Sequence, residues 1–521
     1  MSLGEFEERR RNGIGFGTDP RHSVGASDVS AGAHSGSGSA AIGKDWLSER
    51  LWFRTHPSRL VREWPCLRPR FNQRLLPLRK RLAVAGRTEH LQWRRLGCRG
   101  WAYSLVLLAV ASGVDAQVAI RDAAATAPPN ISVGGQVREQ YERFQHEEWG
   151  GEIPDDNGYW LQRYMFHVDA QVWRGLRAYV ELKSGIEVGR AGGPRPPDED
   201  QLDLHQAFLD LSFGPATVRL GRQELAFGTQ RLISVREGPN MRQTFDGGNL
   251  VIQHGRWWVD GFGARYVETD TGVFDDSSTT GRTLWGVYAV RGPDSGGTAG
   301  LDLYYLGYRR DEASFDQGSD REVRHSWGVR AWGRSTTVDY NTEAVLQAGT
   351  FGQSRIRAWT VASDTGYRPV AAVRLGVRAD VTSGDADRHD DRLGTFNPLF
   401  PKGDYFGLVS SLAPSNHIDV HPQVTIDPRP DLVIRTSWLF FWRQQIDDGI
   451  YGIPGNLIRS GEGTQERFVG QSPGLEVEWQ ATKQLSLTGD LSLFTAGPFI
   501  RESGPPAEDT TYVAGWITYR F

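Results

Sequence analysis

Apolar and polar residues alternate with a period of two, segment after segment, from residue 131 to the end of the chain. In the first segment Ile131, Val133 and Val137 share one face, and Gln136 and Arg138 share the other. A period of two is that of a β-strand, in which successive side chains point to opposite sides. Because no amphipathic helix interrupts the series, the pattern predicts an all-β protein.

Charged residues occupy the second face of many of these predicted strands. In the segment that begins near residue 160, Phe166 and Val168 alternate with His167 and Asp169. A soluble β-sandwich explains a few strands of this kind, but it does not easily explain charges on the second face of so many long ones. A barrel in a bilayer does, because one face of each strand meets lipid and the other faces a water-filled lumen. The alternation therefore predicts a transmembrane antiparallel β-barrel.

The number of strands follows from the turn signals between the segments. Roughly nineteen segments qualify, and because single-chain bacterial barrels have an even number of strands, we predict about 18. The weakest candidates are residues 249–254 and 404–412. Short links such as Gly214-Pro215 are predicted as tight turns. Longer polar stretches, predicted as loops, lie near residues 190–200, 229–247, 270–280, 311–322, 384–403, 445–470 and 500–508.

The last predicted strand covers residues 511–521 and ends on Phe521. Lipid tolerates no open strand edge, so we expect this strand to close the barrel. The terminal aromatic resembles the assembly signal of bacterial outer-membrane proteins. This resemblance implies that the outer-membrane barrel assembly machinery reads Phe521. The alternative is an edge strand of a soluble β protein.

Composition excludes several other classes of protein. The sequence has no run of 18 or more apolar residues, which excludes a bundle of membrane-spanning helices. Its mean hydropathy of −0.46 suits a barrel, in which only alternate strand residues meet lipid. Acidic residues outnumber basic ones, 63 to 59, and the excess is larger after residue 116. This balance argues against a nucleic-acid partner.

Residues 94–116 have the pattern of a secretory signal peptide. A basic n-region precedes the apolar h-region at 102–111, and a cleavage motif of small residues ends at Ala116. Both cysteines, Cys66 and Cys98, precede this cleavage point, so the mature part has no disulfide. The predicted organisation is a disordered extension or miscalled start at 1–93, a signal peptide at 94–116, a short periplasmic segment at 117–130 and an outer-membrane barrel at 131–521.

Three stretches carry a resemblance to a known family. Gly221-Arg222-Gln223 is followed by an Arg-Leu pair and by Phe245-Asp246-Gly247. A Phe-Asn-Pro-Leu-Phe-Pro loop begins at Phe396, and Phe441-Trp442-Arg443 lies downstream of it. In this order the stretches resemble the alginate export family of outer-membrane porins over about residues 130–521. The resemblance implies an 18-stranded barrel whose arginine-rich constriction passes a polyuronate chain outward.

Arginine chemistry fits that expectation. A uronate polymer carries one carboxylate per sugar, and a guanidinium binds a carboxylate through paired N–H donors. We expect the 222–246 insertion to fold into the lumen. Arg222 alternates in phase with the apolar Leu220, so the side of the strand on which its side chain lies stays open. Charged pairs that serve only to fill a barrel interior are the alternative. The candidate pore and substrate-binding residues are Arg163, Arg222, Glu224, Arg231, Arg236, Arg242, Asp246, Arg374, Arg378, Arg435 and Arg443.

The sequence therefore predicts a monomeric channel surrounded by outer-membrane lipid, which passes an anionic polysaccharide or oligosaccharide. It contains no His-Glu-x-x-His, and we predict no enzyme. His417 and His421 are predicted to lie on a strand, where their spacing does not favour a metal site. No cofactor is predicted, although acidic loop clusters such as Asp275-Asp276 could bind a divalent cation. The alternative functions are a general, small-anion or aromatic-acid porin, an outer-membrane enzyme, and a soluble carbohydrate-binding β protein.

Overall fold

The computed structural model describes residues 130–521 except 153–156, 294–296, 410–411 and 454. The predicted extension at 1–93, the signal peptide at 94–116 and residues 117–129 lie outside the described residues. The described chain forms a closed barrel of 18 antiparallel strands, as the alternation predicts. No helix in this part of the chain is long and apolar enough to cross a membrane.

Each strand of the wall pairs with the next one around the barrel. The wall strands are β1 Asn130–Gln145, β2 Tyr159–Trp173, β3 Leu176–Val188, β4 Asp200–Phe213, β5 Ala216–Gln223, β6 Phe245–His254, β7 Trp257–Glu268, β8 Ser277–Arg291, β9 Ala299–Phe315, β10 Gly318–Arg334, β11 Val338–Phe351, β12 Ser354–Val370, β13 Val373–Thr382, β15 His417–Arg429, β16 Leu432–Arg443, β19 Phe468–Gln480, β20 Leu485–Ala496 and β21 Thr510–Arg520. The connections contain β14 Arg392–Leu393, β17 Ile450–Tyr451, β18 Leu457–Arg459, the 3-10 helix Glu147–Gly150 and the helix α1 Pro498–Glu502.

The last strand closes the barrel against the first. The β1–β21 register runs from Gln136 opposite Arg520 to Gln145 opposite Thr511. The Phe521 N–H donates to the Gly135 carbonyl oxygen at 3.2 Å, and the Gly135 N–H donates to the Phe521 carbonyl oxygen at 3.1 Å. The ladder therefore has no free edge at this seam, which is what the hydrocarbon requires.

The outward face of the wall is apolar. Ile131 and Val133 are each 62% exposed, while Gln136 and Arg138 on the opposite face of β1 are buried. Exposed aromatic side chains lie near the ends of strands that are joined by short turns, among them Trp173, Trp257 and Trp479. Such a girdle is typical of the interface between lipid and water.

Long connections lie at the other end of the barrel, and two sequence predictions there were wrong. Residues 311–322 were predicted as a loop, but β9 and β10 run through them and turn at Asp316-Gln317. Ala313 and Phe315 pack into the interior, which holds this polar extension in the sheet. The described residues 404–409 and 412 belong to no wall strand, whereas residues 249–254 belong to β6.

Replacing Leu346, a 66% exposed residue near the middle of β11, with arginine tests what the outward face touches. Leu346→Arg should lower the free energy of unfolding in phospholipid vesicles by about 2–4 kcal/mol, the cost of arginine at the bilayer midplane. Urea titration followed by tryptophan fluorescence measures it.

Phe274→Arg is the matched control, because Phe274 is 60% exposed but lies in the connection between β7 and β8. Its effect should stay within about 0.5 kcal/mol. Equal effects of the two substitutions would mean that water, rather than lipid, covers Leu346.

Candidate functional site

The connection between β5 and β6, residues 224–244, folds into the lumen, as the sequence predicted. On one side the Arg163 side chain of β2 donates to the carbonyl oxygen of Asn240 at 2.6 Å. On the other side Arg231 binds Glu343 of β11 at 3.1 Å and Asp380 of β13 at 2.8 Å. The segment therefore crosses the barrel from the β2 wall to the β11–β13 wall. We call it the first inward segment.

Residues 394–409, which include the Phe-Asn-Pro-Leu-Phe-Pro loop, form a second inward segment. The Ser234 N–H donates to the Phe400 carbonyl oxygen, and the Phe400 N–H donates to the Leu232 carbonyl oxygen, both at 2.9 Å. The Asn397 amide nitrogen donates to both Glu322 carboxylate oxygens, at 3.1 and 3.0 Å. The two inward segments are thus joined to each other and to the wall by hydrogen bonds.

The inward segments bring an apolar core into the barrel. Ile233 is fully buried, and the Phe245 ring meets the Phe400 ring edge-on at 5.1 Å. Phe227 stacks on Tyr288 of β8, with ring centroids 4.9 Å apart. The expectation of a water-filled lumen was therefore wrong where the inward segments lie, because packed aromatic side chains occupy that part of the lumen.

A cluster of charges around Glu237 fixes the first inward segment. The Glu237 carboxylate contacts the Arg163 guanidinium and lies 3.2 Å from Nε of Arg242. Arg138 of β1 donates to the Glu237 carbonyl oxygen at 3.1 Å. Burial alone would raise the pKa of Glu237, but Arg163, Arg242 and Arg138 hold it well below its usual range. The carboxylate is therefore charged and acts as the central counter-ion of three arginines.

Glu224 has a similar role at the start of this segment. Its carboxylate lies 2.8 Å from Nε of Arg242 and 2.8 Å from Nε2 of His205 on β4. Sequence reasoning placed Glu224, Arg231, Arg236 and Arg242 together, and the structure brings all four into the first inward segment.

Three further candidates lie in the wall and bind fixed partners. Arg374 donates to Asp339 at 2.6 Å and to Asp364 at 2.7 Å. Arg435 binds Glu476 at 2.7 Å. Arg378 donates to the Tyr405 carbonyl oxygen of the second inward segment at 3.1 Å.

Arg222 and Asp246 were predicted in the pore, but the strand alternation places them on the outward side. Arg222 shares its parity with Leu220, which is 52% exposed, and Asp246 shares its parity with Leu250, which is 43% exposed. The two side chains pair directly across β5 and β6, with Nε of Arg222 2.9 Å from Asp246. No register shift interrupts the β5–β6 ladder, so the arginine keeps the outward parity.

Arg443 also lies outside the expected ladder of pore arginines. Its fully buried guanidinium donates to the carbonyl oxygens of Ile446 at 2.8 Å and Thr464 at 3.2 Å. It also stacks over the Phe499 ring at 4.1 Å. This side chain holds the connection between β16 and β19 in place.

Arg236 differs from the other candidates. Its side chain makes no hydrogen bond or ion pair within the described part of the chain, and its Nε is buried without a partner. Burial lowers the pKa of Arg236, Tyr266 and the Asp198 carboxylate oppose this shift, and the nearby Arg195 and Arg282 add to it. Sequence reasoning missed Arg282, which shares the lumen-facing parity of Leu284 and Tyr288 on β8. It packs over the Tyr266 ring at 5.4 Å and has no ion-pair partner among the described residues.

Sequence reasoning also missed a buried charge network on β9 and β10. Asp302 accepts hydrogen bonds from Tyr288, Arg330 and Trp332. Arg324 is fully buried against Glu322. The period of two could have found these residues, because they continue the alternation of β9 and β10.

Comparison with known proteins agrees with this geometry. The family model described as alginate export matches residues 130–514. No curated protein matches the chain. The solved structure of Pseudomonas aeruginosa OpdO has a TM-score of 0.54 and 9% identity, over 75% of this chain and 97% of that one.

The structure of Pseudomonas aeruginosa OpdK with vanillate has a TM-score of 0.52 and 9% identity, over 75% of this chain and 98% of that one. At this identity the likeness shows the fold alone. Together with the family match, the closed barrel and its apolar outer face identify a channel protein of the bacterial outer membrane.

Replacing Glu237 with glutamine tests whether this carboxylate fixes the first inward segment. The change leaves Arg163, Arg242 and Arg138 without their central counter-ion, and breaking a buried ion pair costs about 3–5 kcal/mol. Amide hydrogen exchange in residues 224–244 should therefore become faster by more than about tenfold, as measured by mass spectrometry in detergent.

Asp311→Asn is the control, because its ion pair with Arg309 is 39% exposed on the Asp311 side. An exposed pair contributes about 0–1 kcal/mol, so exchange in residues 224–244 should not change. Unchanged exchange in Glu237→Gln would show that the apolar contacts alone hold the segment.

Proposed function

The chain belongs to the alginate export family, and on this premise we propose that it passes an anionic polysaccharide, an alginate-like polyuronate or its oligomers, through an arginine-lined lumen. We propose that this passage is passive. The family match also supports transport rather than catalysis.

The observation that carries this proposal is the unpaired guanidinium of Arg236. A half-buried cation without a direct ion-pair partner is costly, and a carboxylate that enters the lumen would supply one. Arg282 lies near it and also lacks an ion-pair partner among the described residues. Two such cations fit a solute that presents carboxylates at intervals.

The other lumen arginines limit how tightly a solute is held. Arg163, Arg231 and Arg374 are paired with fixed carboxylates. A solute carboxylate must compete with these partners, so each contact is weak. Conduction requires sites that bind well enough to admit the solute and weakly enough to release it.

A small-anion or aromatic-acid channel is the second candidate, and the packing of the lumen favours it. Phe400, Tyr405 and Phe396 of the second inward segment are nearly fully buried. A long polymer therefore requires more movement of this segment than a short oligomer or a small anion. The OpdK structure contains vanillate, and we use vanillate here only as an aromatic-acid test solute.

We also propose that the chain acts as a monomer in outer-membrane lipid and that the assembly machinery reads its terminal Phe521. Phe521 is 55% exposed and stacks on Tyr519, with ring centroids 6.1 Å apart. Its ring is therefore accessible at the seam.

Replacing Arg236 with glutamine tests the proposed anion site in planar lipid bilayers. The variant should lower the ratio of anion to cation permeability several-fold, because the unpaired charge is lost. Uronate oligomers should block the current through this variant less strongly than they block the current through the wild-type channel. Oligomers of increasing length, compared with vanillate, separate the two candidate solutes.

Arg222→Gln is the matched control, since Arg222 lies in the same part of the chain but on the outward side. It should leave selectivity and block unchanged. Equal effects of Arg222→Gln and Arg236→Gln, or no effect of either, would contradict the proposed site.

A further inference from the structure

Asp380 on β13 and Asp419 on β15 lie directly opposite each other in the ladder, and His417 lies two residues before Asp419 on the same face. We propose that these three residues form a binding site for a divalent cation of the zinc class. Each residue offers one ligand atom, and the three atoms lie within 4.8 Å of one another. The side chains are almost fully buried, with exposed fractions of 1% for each aspartate and 6% for the histidine.

Each of the three side chains has one polar atom without a partner. Asp380 accepts hydrogen bonds from Tyr405 at 2.6 Å and Arg231 at 2.8 Å on one oxygen, but its Oδ1 has none. Asp419 contacts Nε2 of His417 at 3.0 Å through Oδ1, and its Oδ2 has no partner. Nδ1 of His417 is also unpartnered. Buried polar atoms normally have partners, so three such atoms in one cluster point to a bound group.

The charges of the cluster favour a cation as that group. Two carboxylates that face each other across a strand pair repel, and both are excluded from water here. Arg231 and Arg378 are the cations that act on them, and Arg231 already binds the other oxygen of Asp380. Phe406 packs against the His417 ring, with centroids 4.8 Å apart, which limits access of water.

The ligand set selects the type of cation. An imidazole nitrogen with two carboxylates suits zinc and similar transition metals, whereas magnesium and calcium prefer oxygen ligands alone.

A second acidic cluster in the chain provides a comparison. Asp203, Asp275 and Asp276 also lie close together. There, however, Asp203 accepts the backbone N–H groups of Asp275 and Asp276, and Lys183 binds Asp276 at 2.7 Å. Protein donors already neutralise this cluster, so we expect no cation at it.

Zinc titration of the untagged, EDTA-stripped protein in detergent, followed by calorimetry and by metal analysis after dialysis, tests the site. The wild-type protein should bind one zinc ion per chain. Asp419→Asn and His417→Gln, which keep the size and a hydrogen-bonding group, should weaken binding by more than tenfold. Asp275→Asn is the matched control and should bind as the wild type does.

Two further measurements keep the outcome clear if a variant folds poorly. Heat-modifiable migration on gels reports the folded fraction of each variant. Cobalt should give the wild-type protein a visible absorption band, and magnesium should not displace zinc. Absence of zinc from the wild-type protein, as expected if the carboxylates merely share a proton, would overturn the proposal. So would binding that persists in both variants or disappears in Asp275→Asn.

Discussion

The structure depends on the absence of water in the hydrocarbon of the bilayer. Backbone polar groups that lipid surrounds must be satisfied within the protein, so a sheet can cross the membrane only if it has no edge. The ladder between β1 and β21 meets this condition, and the bonds between Gly135 and Phe521 extend it to the last residue. The same constraint makes the outward side chains apolar. Ile131 and Leu346 are therefore exposed on the surface that contacts lipid.

Once one strand face is assigned to lipid, the charges of the chain collect inside the barrel. They are stable there because they are paired: Asp302 has three donors, and Glu237 is surrounded by three arginines. These pairs also attach the first inward segment to the wall. The interior therefore combines two kinds of stabilisation, an apolar core like that of a soluble domain and a network of buried ion pairs.

The sequence predicted the wall well because its period of two reports the boundary between lipid and lumen directly. It failed where local polarity had another cause. Asp311 and Arg321 suggested a loop, but β9 and β10 continue there because Phe315 packs inside. Residues 404–409 belong to the second inward segment, where Tyr405 and Phe406 are held by packing rather than by a strand ladder. For Arg222, the family motif suggested the pore and the parity shared with Leu220 left its direction open; the uninterrupted β5–β6 ladder gives it the outward parity.

These observations change how an arginine-rich lumen should be interpreted. A guanidinium whose donors are taken by fixed carboxylates or carbonyl oxygens, as in Arg163 and Arg443, contributes shape and rigidity but little binding capacity. Under the proposed function, capacity for a solute anion depends on positive charge that has no ion-pair partner, as at Arg236. Since Arg236 lies on an inward segment rather than on the wall, members of the family with the same barrel could differ in solute through changes in this segment alone.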